Sequence, residues 1–224
     1  MDFTTQQLQL QSQINITNQF EQIKYIAGVD VSYFYDENFN IELAICAIVV
    51  VDYETKKEVE TVVYSDIITV PYIPGYLSFR ELPIFLQTNE LLTSSVDAYM
   101  FDGNGYLHPR NMGIATHAGI VLKKPTIGVA KNYHKIFDIN FVPPDNVKGA
   151  YSNIVINNKV YGCALRTHSN VKPIFVSAGN FIDLETSCSI VMELVTNESR
   201  IPLPTRLAHI EANRIARIAR EVSQ

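Results

Sequence analysis

Apolar and polar positions along this chain repeat with two different periods. From Tyr25 to Tyr33, Ile41 to Asp52 and Glu58 to Ile68, β-branched and aromatic residues dominate, with short polar breaks at Asn38 and Thr55. That pattern predicts three consecutive strands, joined closely enough to form an antiparallel meander. Ahead of them, Phe3-Thr4-x-x-Gln7-Leu8 matches a capping box with a hydrophobic staple and predicts a first helix reaching about Phe20. Further on the pattern predicts a helix between Ser78 and Leu92, a short buried strand at Val96–Phe101, a small-residue helix at Met112–Leu122 and a buried strand at Thr126–Ala130. Ile154–Ile156, Val160–Arg166 and Ile174–Ser177 read as later strands, and Asp183–Thr196 and Thr205–Val222 as closing helices.

Three antiparallel strands followed by helix–strand–helix–strand is an α/β order, that of the ribonuclease H-like fold. The expected architecture is a mixed central sheet, three antiparallel strands then parallel strands, flanked by helices. Such an order alone says little about function. The 224 residues hold no internal repeat, no low-complexity tract and no Gly-, Ser- or Pro-rich linker, so a single domain over residues 1–224 is expected. The longest apolar runs are strand-sized, which argues against a transmembrane helix and a membrane partner. The start, MDFTTQQLQ, lacks the basic and apolar regions of a signal peptide. Cys46, Cys163 and Cys188 stand in unrelated contexts with no CxxC pair, so neither a disulfide framework nor a thiolate zinc site is suggested. A reducing cytoplasm is the simple location.

The formal net charge of −5 argues against a protein that coats nucleic acid nonspecifically, but local charge decides contact. Gly103 to Phe137 contains no acidic residue, yet holds Arg110, Lys123, Lys124, Lys131 and Lys135. A second basic strip comprises Arg206, Arg214, Arg217 and Arg220. Two basic faces could grip phosphates locally; for the second strip, a solvated helix face is the favoured reading.

Three carboxylates stand in unusual places. Asp30 lies inside the strand pattern YIAGVDVSY, although aspartate is depleted there. By alternation it shares a face with Ile26, Gly28 and Ser32, small neighbours that leave room before the carboxylate. Asp102 ends the apolar strand of VDAYMFDGNG, and a carboxylate at the carboxyl end of a buried strand often faces a ligand crevice. Asp30 could equally accept hydrogen bonds in a polar core, and Asp102 could start a D-G-N-G turn. On neighbouring strands the two would repel unless something positive lay between them, and a hard divalent cation is such a partner. Glu81 either closes a capping box with Ser78 or, if Pro83 takes the first helical position, stays free as a third oxygen ligand. A three-carboxylate set suits Mg²⁺ or Mn²⁺ rather than zinc.

The longer motifs are specific. AGVDVSY, PYIPGYLSFRE, DGNGYLHPRNMGIATHAG, PTIGVAK, KPIFVSAG and LPTRLAH follow one another from about residue 26 to 209. In this order they resemble the endonuclease V family, nucleases that act at deaminated bases, chiefly inosine. The resemblance implies a ribonuclease H-like fold and Mg²⁺-dependent hydrolysis, with Mn²⁺ able to substitute, of the second phosphodiester bond 3′ to the lesion. It implies that Asp30, Glu81 and Asp102 bind the metal, that His209 lies near it, and that the Lys131 cation faces the scissile phosphate. It implies a strand-separating wedge at Pro71-Tyr72-Ile73-Pro74, stiffened by its prolines so that little entropy is lost on insertion. Read without the family, PYIP would be a cis-proline turn or packing corner. Gly75, Leu77, Gly103, His108 and Ile114 are implied to receive the flipped base, glycines allowing close backbone approach. Arg80 could touch phosphate or pair with a neighbouring acid, and Arg110 could bond backbone carbonyls and shape its loop. Where the family usually has histidine after Gly179, this chain has Asn180, which places phosphate grip on that side in question.

The partner expected is DNA carrying deoxyinosine or another deaminated base, bound by a monomer. The near alternative is cleavage of inosine-containing RNA, separated by comparing matched DNA and RNA strands. A lesion-binding module without cleavage is the second class, and a small-molecule hydrolase on a related fold the third. Intact Asp30, Glu81, Asp102 and Lys131 speak against the former, the wedge and the acid-free basic stretch against the latter.

Overall fold

The computed structural model describes residues 2–222. The three β-rich segments form strands β1 (Tyr25–Asp36), β2 (Ile41–Asp52) and β3 (Glu58–Ile67), paired antiparallel as a meander. Helix α2 (Leu77–Asn89) then leads to β4 (Ala98–Phe101), and α3 (Ile114–Leu122) to β5 (Thr126–Ala130). Both β4 and β5 run parallel to β1. Beyond β5 the sheet continues antiparallel through β8 (Ile174–Asn180), β7 (Lys159–Leu165) and β6 (Tyr151–Ile156). The described strands thus join one sheet in the order β3-β2-β1-β4-β5-β8-β7-β6, so the mixed α/β architecture is as expected, with a longer antiparallel wing.

Alternation along β1 splits the core between the two faces of the sheet. Ile26 packs with Met100, Ile127 and Val176 against α4 (Leu184–Leu194) and Ala208 of α5 (Leu203–Val222). Ala27 and Val29 face the opposite layer, where Leu82 and Phe85 of α2 meet Ala115 and Ala118 of α3. The sheet is therefore covered by helices on both sides, as parallel strands require.

The first helix differs from expectation. α1 covers only Phe3–Leu10, followed by one 3-10 turn at Gln11–Gln13. Its N-cap is Asp2, whose carboxylate accepts from the backbone N–H of Thr4 and Thr5. Gln7 is not part of a capping box: it is fully buried and points into the protein. The polar run after Leu10 offers no apolar stripe to hold a longer helix on the core. α4 also stops at Leu194, two residues short of the expected end.

Gly28 does not leave open space before Asp30. A Cβ there would lie 2.0 Å from the carbonyl carbon of Pro204 and 2.4 Å from the Thr205 nitrogen. The absent side chain is what lets the start of α5 lie directly on β1.

Candidate active site

Parallel pairing sets the site. Val29 is in register with Phe101, and the Asp102 N–H donates to the Val29 carbonyl at 3.0 Å. Asp30 and Asp102 are therefore neighbours where β4 ends. Lys131 is the first residue after β5. Because α5 lies against Gly28, it delivers His209 from above the sheet, and His209 Nδ1 comes 2.9 Å from Asp30 Oδ2. Oxygens of Asp30 and Asp102 and a nitrogen of His209 all lie within 4.8 Å of one another. Glu81 arrives from α2, in the opposite helical layer, and lines a small cavity with Asp30, Asp102, Phe101 and Ile114. The ligand atoms that lie within that mutual distance do not include its carboxylate.

Neither helix position expected for Glu81 is found. α2 begins at Leu77 with no side-chain cap from Tyr76, Pro83 lies within the helix, and Glu81 sits in the second turn. Its Oε1 accepts the Tyr33 hydroxyl at 2.6 Å. Burial pushes the Glu81 carboxyl up to about 7, the Asp102 charge adding and the Tyr33 hydrogen bond opposing. Asp30 is also raised, first by burial and then by the charge of Asp102. Lys131 offsets part of this repulsion. Its ammonium stands 2.5 Å from Asp102 Oδ2 and 3.1 Å from His209 Nδ1. Burial, then the Lys131 charge, lowers the His209 imidazole below its ordinary value.

This donor set fits a divalent cation. Two crowded carboxylates and one imidazole, with a third carboxylate on the same cavity, offer mostly hard oxygen ligands. The raised Asp30 and Glu81 are what carboxylates become where a compensating positive charge has room to bind.

Beside these acids lies a cleft of ≈ 130 Å³ lined by Tyr72, Gly75, Leu77, Gly103, His108 and Ile114, six residues from the sequence reading. Pro71, Tyr72, Ile73 and Pro74 are exposed at its edge, and no peptide bond among the described residues is cis. His108 is buried, and its Nδ1 accepts from the N–H groups of Arg110 at 3.2 Å and Met112 at 3.3 Å. The ring proton therefore sits on Nε2 and points to the Gly75 carbonyl, 3.0 Å away. Burial holds this imidazole neutral by lowering it to about 4. Ser78, Asn104, Met112, Gly113 and His134 complete the lining without having been expected there. Among the described residues Asn104 Oδ1 is buried without a hydrogen-bond partner; its place inside the D-G-N-G motif was the available signal.

Arg80 takes the second of its two readings. Its guanidinium is buried, pairs with Glu42 at 2.7 Å, donates to the Val70 carbonyl and lies 4.4 Å from the Tyr33 ring centre. It is not part of the cleft lining. Asn180 faces inward too: fully buried, it accepts the Asn15 N–H at 2.6 Å and so anchors the segment after α1 rather than a phosphate. The C-terminal basic strip is largely spoken for, Arg206 by Glu198, Arg214 by Glu211 and Arg217 by Glu221.

A mixed sheet whose parallel strands end in an acidic, cation-ready cluster beside a cleft defines an α/β protein with the makings of a hydrolytic site. The sequence profile of Endonuclease V matches residues 8–210. An Endonuclease V of Bacillus thuringiensis is 54% identical over 217 residues, covering 96% of this chain and 91% of its own. The crystal structure of the Bacillus subtilis Endonuclease V superposes with a TM-score of 0.94 at 44% identity, covering 98% of this chain and 93% of that one. The Ciona intestinalis Endonuclease V, crystallised with a 24mer DNA containing an inosine followed by a ribo-adenosine, is similar at a TM-score of 0.84 and 31% identity, covering 97% and 98%. The chain belongs to the Endonuclease V family, a family of nucleases.

Proposed function

We propose that this protein is a divalent-cation-dependent endonuclease that recognises deoxyinosine and other deaminated bases in DNA. It hydrolyses the second phosphodiester bond 3′ to the lesion and so starts repair. The observation that carries this reading is the convergence of Asp30, Asp102 and His209 beside the cleft edged by Tyr72. Support also comes from the inosine-containing DNA bound to the Ciona relative. Asp30, Asp102 and His209, with Glu81 on the same cavity, would hold Mg²⁺, and Mn²⁺ in its place. A bound cation would supply an acidified water and neutralise charge building on the phosphate. Lys131 adds a fixed ammonium where that charge develops. Tyr72 occupies the gap left in the duplex when the base swings out, and the cleft receives the base. Neutral His108 keeps the receiving wall uncharged and fixed. The protein acts as a single-domain monomer in the cytoplasm; no helix among the described residues is long and apolar enough to cross a membrane.

The test is incubation with one inosine-bearing duplex, with and without Mg²⁺, and mapping of the nick. Mg²⁺-dependent cleavage one nucleotide beyond the bond next to inosine is expected; no cleavage with Mg²⁺ would overturn the reading. A second reading, action on inosine-containing RNA, is favoured by the ribo-adenosine that follows inosine in the Ciona complex. Faster cleavage of the RNA strand than of its DNA counterpart would select it.

A further inference from the structure

We infer that α1 is a clamp that fixes the root of the wedge, with Gln7 and Arg110 as its positioning residues. This rests on the wedge reading of Pro71–Pro74 and extends it. Gly75, immediately after the wedge, has φ +82, a left-handed turn that glycine takes without steric cost and that ends the wedge. Its carbonyl receives three donors: Gln7 Nε2 at 3.1 Å, Arg110 Nη2 at 2.9 Å and His108 Nε2 at 3.0 Å. Gln7 reaches the other wall as well, through the Met112 carbonyl at 3.4 Å, and its Oε1 accepts from Arg110 Nε. One fully buried amide thus ties residue 75 to residues 110 and 112. The rest of α1 and the 3-10 turn after it reinforce the tie. Phe3 stacks on Phe79 at 4.3 Å, Thr4 Oγ1 bonds the Tyr76 hydroxyl at 2.7 Å, and Gln11 donates to the Arg110 carbonyl at 2.9 Å. The Arg110 guanidinium also lies 4.5 Å from the Tyr76 ring centre. The cation-ready cluster, by contrast, includes no residue of α1.

A wedge works only if its base does not yield when pushed against stacked bases. The clamp therefore acts on strand opening and not on hydrolysis. Gln7→Glu keeps the size and the acceptor for Arg110 but turns an oxygen toward two carbonyls. Gln7→Leu removes donor and acceptor alike. The experiment measures single-turnover incision of inosine in a duplex and in a single strand, for wild type and both variants, with melting temperature recorded in parallel. Loss of a buried hydrogen-bond donor predicts about tenfold slower duplex incision. Single-strand incision, which uses the same cleft but displaces no partner strand, should fall clearly less than duplex incision. Equal incision of duplex by wild type and a folded variant would overturn the inference, and so would an equal loss on both substrates. If Gln7→Leu fails to fold, Gln7→Glu and the milder Gln11→Ala carry the same comparison. Wild-type protein that cuts neither inosine substrate would refute the proposed function itself, which keeps the two failures apart.

Discussion

Asp102 carries the sharpest expectation at the scale of single residues. It accepts from Lys131 at 2.5 Å and stands against Asp30 at the end of β4. Asp102→Asn keeps the shape but removes the charge, so Mg²⁺-dependent incision should fall by about 10² or more. Binding of an inosine oligonucleotide, followed by gel shift in Ca²⁺, should persist. His117 gives a second expectation. It is buried on α3, with Nδ1 3.1 Å from Ser78 Oγ, and burial lowers its imidazole to about 4. In the unfolded chain the same group takes a proton at about 6.5. Between those values the unfolded state holds more protons, so stability falls as pH falls, by at most about 1.4 kcal/mol per unit for this group. His108, likewise held near 4, contributes in the same direction. Melting temperature followed from pH 7.5 to 5 should drop, and His117→Gln should flatten the curve. Asp30 and Asp102 stood out in the sequence because a charge within or ending an apolar strand is chemically costly and calls for a reason, whereas Glu81 stood out chiefly through the family motif. Gln7 and Asn104 did not. A glutamine on a polar helix looks like surface until the loop that it holds is seen.

Gly28 belongs to the scale of elements, because it decides how β1 and α5 meet. A methyl group there would overlap the Pro204 and Thr205 backbone, which has no rotamer to escape into. Gly28→Ala should lower stability by about 3 kcal/mol or more, read by urea unfolding, and should weaken cation binding by moving His209. Asn180→Ala should act differently. It leaves the Asn15 N–H without its acceptor, lowering stability by ~1–3 kcal/mol with incision nearly unchanged in single-turnover assays. Most elements were readable from period and punctuation, including the meander and the β4–α3–β5 crossover. The end of α1 was not, since a run of glutamines and asparagines suits helix and coil alike, and tertiary contacts chose. The place of Pro83, open in the sequence, is settled inside α2, where neighbouring packing outweighs local preference.

For the whole molecule, the proposed function asks how a chain of net charge −5 would hold a polyanion. Counting lysines and arginines suggested two basic faces. In the fold, Arg214 and Arg217 pair with acids of their own helix, Lys124 bonds the Val96 carbonyl and Lys135 meets Asp138. Replacing Arg214 and Arg217 by alanine should leave the slope of log K against log salt unchanged, whereas a true phosphate contact would shift it by about 0.9 each. The C-terminal strip is the solvated helix face expected, Arg214 and Arg217 pairing within the same helix; the partner of Lys124, the Val96 carbonyl, is distant in sequence and could not be read from a count of charges.

The seat of α5 on Gly28 also has a meaning in time. The ribosome makes Asp30 early and His209 nearly 180 residues later, and only the late helix brings the imidazole to the early strand. A nascent chain can thus build most of its sheet while the proposed cation site still lacks its imidazole.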